Sequence, residues 1–203
     1  MWDFLVKGGP LMWPILLCSI WALAVIAERG WTFSRTRKFV LEPLRNASSH
    51  VLAAEREKAV EAKKNINDPV SEIISIGTGE LYSGTLRDEK ERRMTRLGTN
   101  FLRAMEEHLR SLAIIGNITP ILGLLGTVTG MIKAFMTIQE LQGQVDASVL
   151  AGGIWEALMT TAFGLAVAIP TQIAYHYFEG RVDDMADEIG DIAHNLLEYT
   201  ESR

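Results

Sequence analysis

Residues 147–177 read ASVLAGGIWEALMTTAFGLAVAIPTQIAYHY, and Glu156 is the one charged side chain among them. From Ala157 to Tyr177 the run is uncharged, as long as the ~20 predominantly apolar residues that cross a bilayer. An ionised acid at the centre of such a helix costs about 2.5–3.5 kcal/mol on insertion scales. Residues of this kind face a protein interior or a water-filled path rather than lipid. The depth of Glu156 depends on where its helix begins. If the helix starts at Ala157 the acid is interfacial; if it starts near Val149 the acid lies about one to two turns inside.

Two further runs have the same character. Leu11 to Ala27 is uncharged, and Leu112 to Ile138 carries only Lys133. The average composition, 48% hydrophobic and 22% charged, hides this segregation. The expected fold is therefore all-α, a helical membrane protein with three transmembrane helices. The first run also looks like a signal sequence, with Ala22-Leu23-Ala24 as a cleavage site. Asp3 before it and the basic stretch after it favour a retained anchor.

Charge sets the expected topology. Of the 20 Lys and Arg residues, 16 lie between Arg29 and Arg110, and Gln139 to Trp155 has none. Basic residues near membrane ends favour the cytoplasm. The chain then divides into a periplasmic N-terminus with the first span (1–28), a cytoplasmic helical region (29–111), the second span (112–138), a short periplasmic loop (139–149), the third span (150–178) and a cytoplasmic C-terminal helix (179–203). Trp2, Trp13, Trp21 and Trp31 bracket or line the first span, as interfacial aromatics do. The lone Cys18 excludes an internal disulfide. The net charge of −5 signals no partner, because the basic residues cluster by topology, and no basic surface with interleaved aromatics points to nucleic acid.

Within the cytoplasmic region, Leu41 to Lys64 reads as a solvated helix, Asp68-Pro69 as a helix start and Gly77 as a stop. Gly77-Thr78-Gly79 lacks the Lys and spacing of a phosphate loop and reads as a turn. Thr85 with Asp88 opens a helix in capping-box style. No Pro follows until Pro120, so this helix is expected to run into the second span and to extend well beyond the bilayer. In the tail, Val182, Met185, Ile189, Ile192, Leu196 and Tyr199 form a stripe with acids beside it, suited to packing on the chain's own helices or on a neighbouring subunit.

At 100° per residue, Gly116, Pro120, Gly123, Thr127, Gly130 and Ala134 fall within about 40° of one direction. In the third span Gly153, Glu156, Thr160, Gly164, Val167 and Thr171 share a stripe, with Thr161 about 140° from Glu156. Small faces allow close helix packing in membranes, and that accounts for most of the glycines. A threonine can bond its own backbone or line a narrow polar path. Two such faces point to a shared polar interior, which one three-span subunit can hardly enclose and several subunits could. His50, His108, His176 and His194 are scattered without ligand spacing, and no nucleophile–base pair is visible, so no enzyme, metal site or cofactor is expected.

The segments Gly123-Leu-Leu-Gly-Thr-Val-Thr-Gly-Met-Ile132, Gly153-Ile-Trp-Glu-Ala-Leu-Met-Thr-Thr-Ala-Phe-Gly164 and Ala168-Ile-Pro170 resemble the MotA/TolQ/ExbB proton-channel family, best its ExbB and TolQ branch. The likeness is specific from about Leu112 to Phe178. It implies the pore-forming stator subunit of a bacterial inner-membrane motor: a pentamer around a dimer of a single-span partner, ExbD or TolR, driven by protons and working through TonB or TolA. By position, Glu156 matches the family's membrane glutamate, and Thr127 and Thr161 its pore threonines. Thr160, Gly123, Gly130 and Gly164 are further candidates for the pore lining. The proton-carrying Asp is expected on the partner, since the three spans hold none. Thr129 stands where the family often has Trp, and three spans rather than four count against a flagellar stator. The rival reading is a non-conducting oligomeric scaffold in which Glu156 is structural.

Overall fold

The computed structural model describes residues 9–36, 72–73, 75–76, 87–140 and 147–201. Its helices are α1 (Met12–Thr36), α2 (Arg87–Glu106), α3 (Leu109–Glu140) and α4 (Ala147–Glu201). No strand occurs among the described residues. Three stretches are long and apolar enough to cross a membrane: α1, the α2–α3 stretch and α4. The expected helix over Leu41 to Lys64, the Asp68-Pro69 start, the Gly77 stop and turn, and the Thr85 cap lie outside the described residues.

Each helix exceeds the span read from hydropathy. The first continues past Ala27 to Thr36, and α4 runs for 55 residues, more than twice the ~20 needed to cross a bilayer. The expected loop 139–149 shortens at both ends, because α3 continues to Glu140 and α4 begins at Ala147. The chain forms two compact units, one of residues 1–27 and 108–177, the other of residues 28–107 and 178–203.

In the first unit the usual order of side chains is inverted. Large apolar residues such as Leu17, Trp21, Ile121, Leu124, Leu158 and Ile173 are exposed, while the α3–α4 contact is built from small ones. Buried positions on α3 are Leu109, Leu112, Ile115, Gly116, Thr119, Gly123, Gly126, Gly130 and Ala134. Among them Gly116 lies against Gln172 of α4, Gly123 and Gly126 against Thr160, Gly130 against Ala157, Ala134 against Gly153, and Thr119 against Gly164. In lipid no hydrophobic force drives helices together, so backbone proximity and van der Waals contact must do it.

At Gly164 the space is bounded by backbone: a Cβ there would lie 2.7 Å from the Thr119 carbonyl oxygen and 3.1 Å from Gly123 Cα. Relative to the stripe read from sequence, the contact turns slightly. Thr119 and Gly126 are buried, and Pro120 and Thr127 lie at its edge.

Pro120 is tolerated inside α3 for an identifiable reason. It has no N–H, so the carbonyl of Gly116, four residues back, loses its helical donor. Gln172 Nε2 of α4 donates to that oxygen at 3.1 Å. Buried or membrane-embedded carbonyls need such replacements.

The second unit is packed by ordinary apolar contacts. Phe33 stacks on Phe178 with ring centroids 5.3 Å apart. Val182, Met185, Ile189, Ile192 and Leu196 are buried together with Met94 and Phe101. The tail stripe therefore packs on its own chain, with Gly98 of α2 against Ile189. Asp183, Asp184, Asp187 and Asp191 stay exposed.

The run expected from Asp88 to Ile138 is present as two helices, interrupted at Glu107–His108. His108 has φ 66°, a left-handed conformation costing a non-glycine residue roughly 1–2 kcal/mol. Its carbonyl accepts from the Ser111 amide at 3.0 Å and so opens α3. The last turn of α2 is closed from elsewhere. Arg29, 4% exposed, donates from Nη1 to the carbonyls of Ala104 and Met105, each at 3.3 Å. A cation on the last carbonyls of a helix both satisfies them and opposes its dipole. His108→Gly is accordingly expected to raise stability by about 1 kcal/mol, read as a higher melting midpoint. A lower midpoint would mean that the imidazole contributes more than the backbone conformation costs.

Candidate functional site

α4 begins at Ala147, so Glu156 lies nine residues into the helix, about 14 Å along its axis. The helix thus starts ahead of Ala157, the second of the two starts that the sequence allowed. Glu156 is half-buried, its side chain 28% exposed. Lys133 Nζ of α3 donates to its Oε1 at 3.4 Å.

On another side the carboxylate meets the chain just before α1. A Cβ added to Gly9 would land on Glu156 Oε1. Gly9 also has φ 76°, a backbone conformation that favours glycine.

The hydroxyls near this level all donate to backbone. Thr160, buried at 1% exposure, bonds the Glu156 carbonyl at 2.8 Å. Thr127 bonds the Leu124 carbonyl at 2.7 Å. Thr129 bonds that of Leu125 at 3.0 Å. Thr161 is different, because its hydroxyl crosses to α3 and donates to the Gly123 carbonyl at 2.8 Å. A hydroxyl that donates in this way keeps acceptor lone pairs for water or a passing proton.

The site residues named from sequence are not gathered in one place. Take the mean direction of the buried residues of α4 as the contact with α3. Glu156 then lies about 80° to one side and Thr161 about 60° to the other. On α3, Lys133 lies about 60° to one side and Thr127 about 60° to the other. The helices are antiparallel, with Gly130 against Ala157 and Gly116 against Gln172. Lys133 and Glu156 therefore share one flank of the pair, and Thr127 and Thr161 share the opposite flank. Between the flanks, Gly123, Gly130, Gly164 and Thr160 are occupied by the helix contact itself.

Sequence reasoning missed Lys133 and Gly9 as neighbours of Glu156. A signal for Lys133 was available: it is the one base of the second span as Glu156 is the one acid of the third, and the two spans are joined by a short loop. Gly9 carried no comparable signal.

A family model described as the MotA/TolQ/ExbB proton channel family matches residues 63–190, more than half of the chain. The chain belongs to this family. The match includes α2, α3 and most of α4, and with them Thr127, Lys133, Glu156 and Thr161. The biopolymer transport protein ExbB of Salmonella typhimurium is 31% identical over 203 residues, covering 96% of this chain and 81% of that protein. A biopolymer transport protein ExbB-like 1 of Synechocystis sp. is 35% identical over 176 residues, 82% of this chain and 66% of that one. An ExbB homologue of Methanothermobacter thermautotrophicus is 38% identical over 138 residues, 66% of this chain and 48% of its own length. The chain thus spans less than two thirds of the last two relatives. The family description and the relatives' names are those of channels and transport proteins, and the three apolar spans are those of a membrane protein.

Proposed function

We propose that the chain is the pore-forming stator subunit of a proton-driven motor in a bacterial inner membrane, of the ExbB/TolQ type. Its N-terminus is periplasmic and its C-terminus cytoplasmic. Five copies surround a dimer of a single-span ExbD/TolR-like partner. Proton flow through this assembly does mechanical work on the outer membrane through a TonB- or TolA-like protein. The partner's Asp carries the proton; Glu156 shapes the electrostatics of the path, and Thr127 and Thr161 offer hydroxyls along it.

The observation that carries this reading is Glu156 itself, a carboxylate about 14 Å into an apolar helix whose neighbouring faces expose Leu158 and Trp155. The opposite flanks add support. Glu156 and the two threonines do not meet within one chain, so a path using all three needs a second copy, one flank of each chain facing the other flank of the next. Such head-to-tail contacts form a ring when the rotation between copies closes. Each proton crossing releases about 2.3 kcal/mol per 100 mV, enough to bias a small step repeatedly.

The test is proton flux into vesicles holding the complex with its natural partner. Thr127→Ala and Thr161→Ala are each expected to slow the flux several-fold while the helices stay packed. Wild-type flux in both would leave the hydroxyls with packing alone. A second reading is favoured by the Lys133–Glu156 contact, which joins α3 to α4: Glu156 would then lock the helices of a non-conducting scaffold. It predicts weaker oligomers for Glu156→Gln and no flux in the wild type.

A further inference from the structure

Within Met12–Ala27, Ser111–Gln139 and Ala151–Phe178, Lys133 and Glu156 are the only Asp, Glu, Lys or Arg residues. Each alone is costly in a span, and a paired charge is the usual solution. Here the two sit on adjacent antiparallel helices with Nζ 3.4 Å from Oε1. Gly9 closes another side of the carboxylate, leaving Lys133 as the one charged group that meets it among the described residues.

The geometry points to Lys133 as the fixed counter-charge of Glu156, an ion pair that brings these spans to zero net charge and aims the carboxylate along one flank of the α3–α4 pair. Lys133 is thereby a positioning residue for the path, an assignment that rests on the reading of Glu156 as a pathway residue. An ammonium has three donors, and its side chain is 57% exposed. One donor to the carboxylate leaves two for other groups on that flank.

The pair has a consequence for interpreting variants. Neutralising Glu156 alone leaves Lys133 as an isolated cation in the second span. Neutralising Lys133 alone leaves the isolated acid. The charge pattern, rather than either side chain, is what the pair maintains.

Two measurements on the full complex test this. The first is a double-substitution cycle in melting midpoint with Lys133→Met, Glu156→Gln and both together. Each single change is expected to lower the midpoint, and the double change to lower it by less than the sum. The second is proton flux into vesicles. Lys133→Met is expected to lose most of the flux and Lys133→Arg to recover most of that loss. The exchanged pair, Lys133→Glu with Glu156→Lys, should exceed either of its single changes. Additive midpoint shifts, or wild-type flux in Lys133→Met, would overturn the assignment. The two readings fail separately. Absence of flux in the wild type removes the proposed function while the melting cycle still reads the pair. Normal wild-type flux with an additive cycle removes the pair and leaves the function.

Discussion

Glu156→Gln is expected to reduce coupled work on the outer membrane to background while the complex still assembles at wild-type amounts. Gln keeps the size of the side chain, so the contact with Gly9 and the α4 backbone is retained. What is lost is the negative charge beside Lys133, at a depth where no other charge in the first unit's spans replaces it. The Gln amide oxygen can still accept a hydrogen bond from the Lys133 ammonium, so the stability loss should be small beside the loss of activity. Activity and stability therefore separate. Cells carrying the variant, assayed for outer-membrane transport or envelope integrity, should resemble cells lacking the chain. Normal activity would remove Glu156 from the mechanism, and loss of the oligomer would favour the scaffold.

Gly164→Leu is expected to do the reverse, preventing the first unit from packing at all. The space beside Gly164 is bounded by backbone, the Thr119 carbonyl and Gly123 Cα, and backbone cannot swing aside as a side-chain tip can. Forcing larger groups into close-packed sites costs typically 1–3 kcal/mol, and a branched side chain between two backbones belongs at or above that range. Separating the helices also breaks the Thr161 bond to the Gly123 carbonyl and the Gln172 bond to the Gly116 carbonyl. Little folded protein should reach the membrane, as read by protease resistance in isolated membranes. Gly152→Ala is the control, since nothing lies within 4 Å of a Cβ there. Equal protease resistance in Gly164→Leu and wild type would contradict the packing described.

Much of the fold is legible in the chain because membranes impose simple constraints. Apolar runs of the right length with at most one charge mark the three spans, and the spacing of Gly116, Gly123 and Gly130 marks the face where α3 meets another helix. The tail stripe from Val182 to Leu196 is equally plain. The interruption at His108 is not, because its cause lies far away in sequence. Arg29 donates to the carbonyls that end α2, and no Gly or Pro announces the break.

The candidate site was half legible. Glu156 stands out as the one charge in its span, and the threonines stand out through the family resemblance. Their separation onto two flanks follows only once the buried face of each helix is fixed, since an angular spacing of about 140° between Glu156 and Thr161 does not say what lies between them. The pairing of Lys133 with Glu156 required knowing that α3 and α4 are antiparallel neighbours in register.

The most direct test of the central claim is proton entry into sealed vesicles containing the purified complex, followed by an internal pH-sensitive dye under an imposed membrane potential. The account predicts acidification with the wild-type complex and none above empty vesicles with Glu156→Gln. Vesicles equally proton-tight with the wild type, or equal flux in the two complexes, would contradict it.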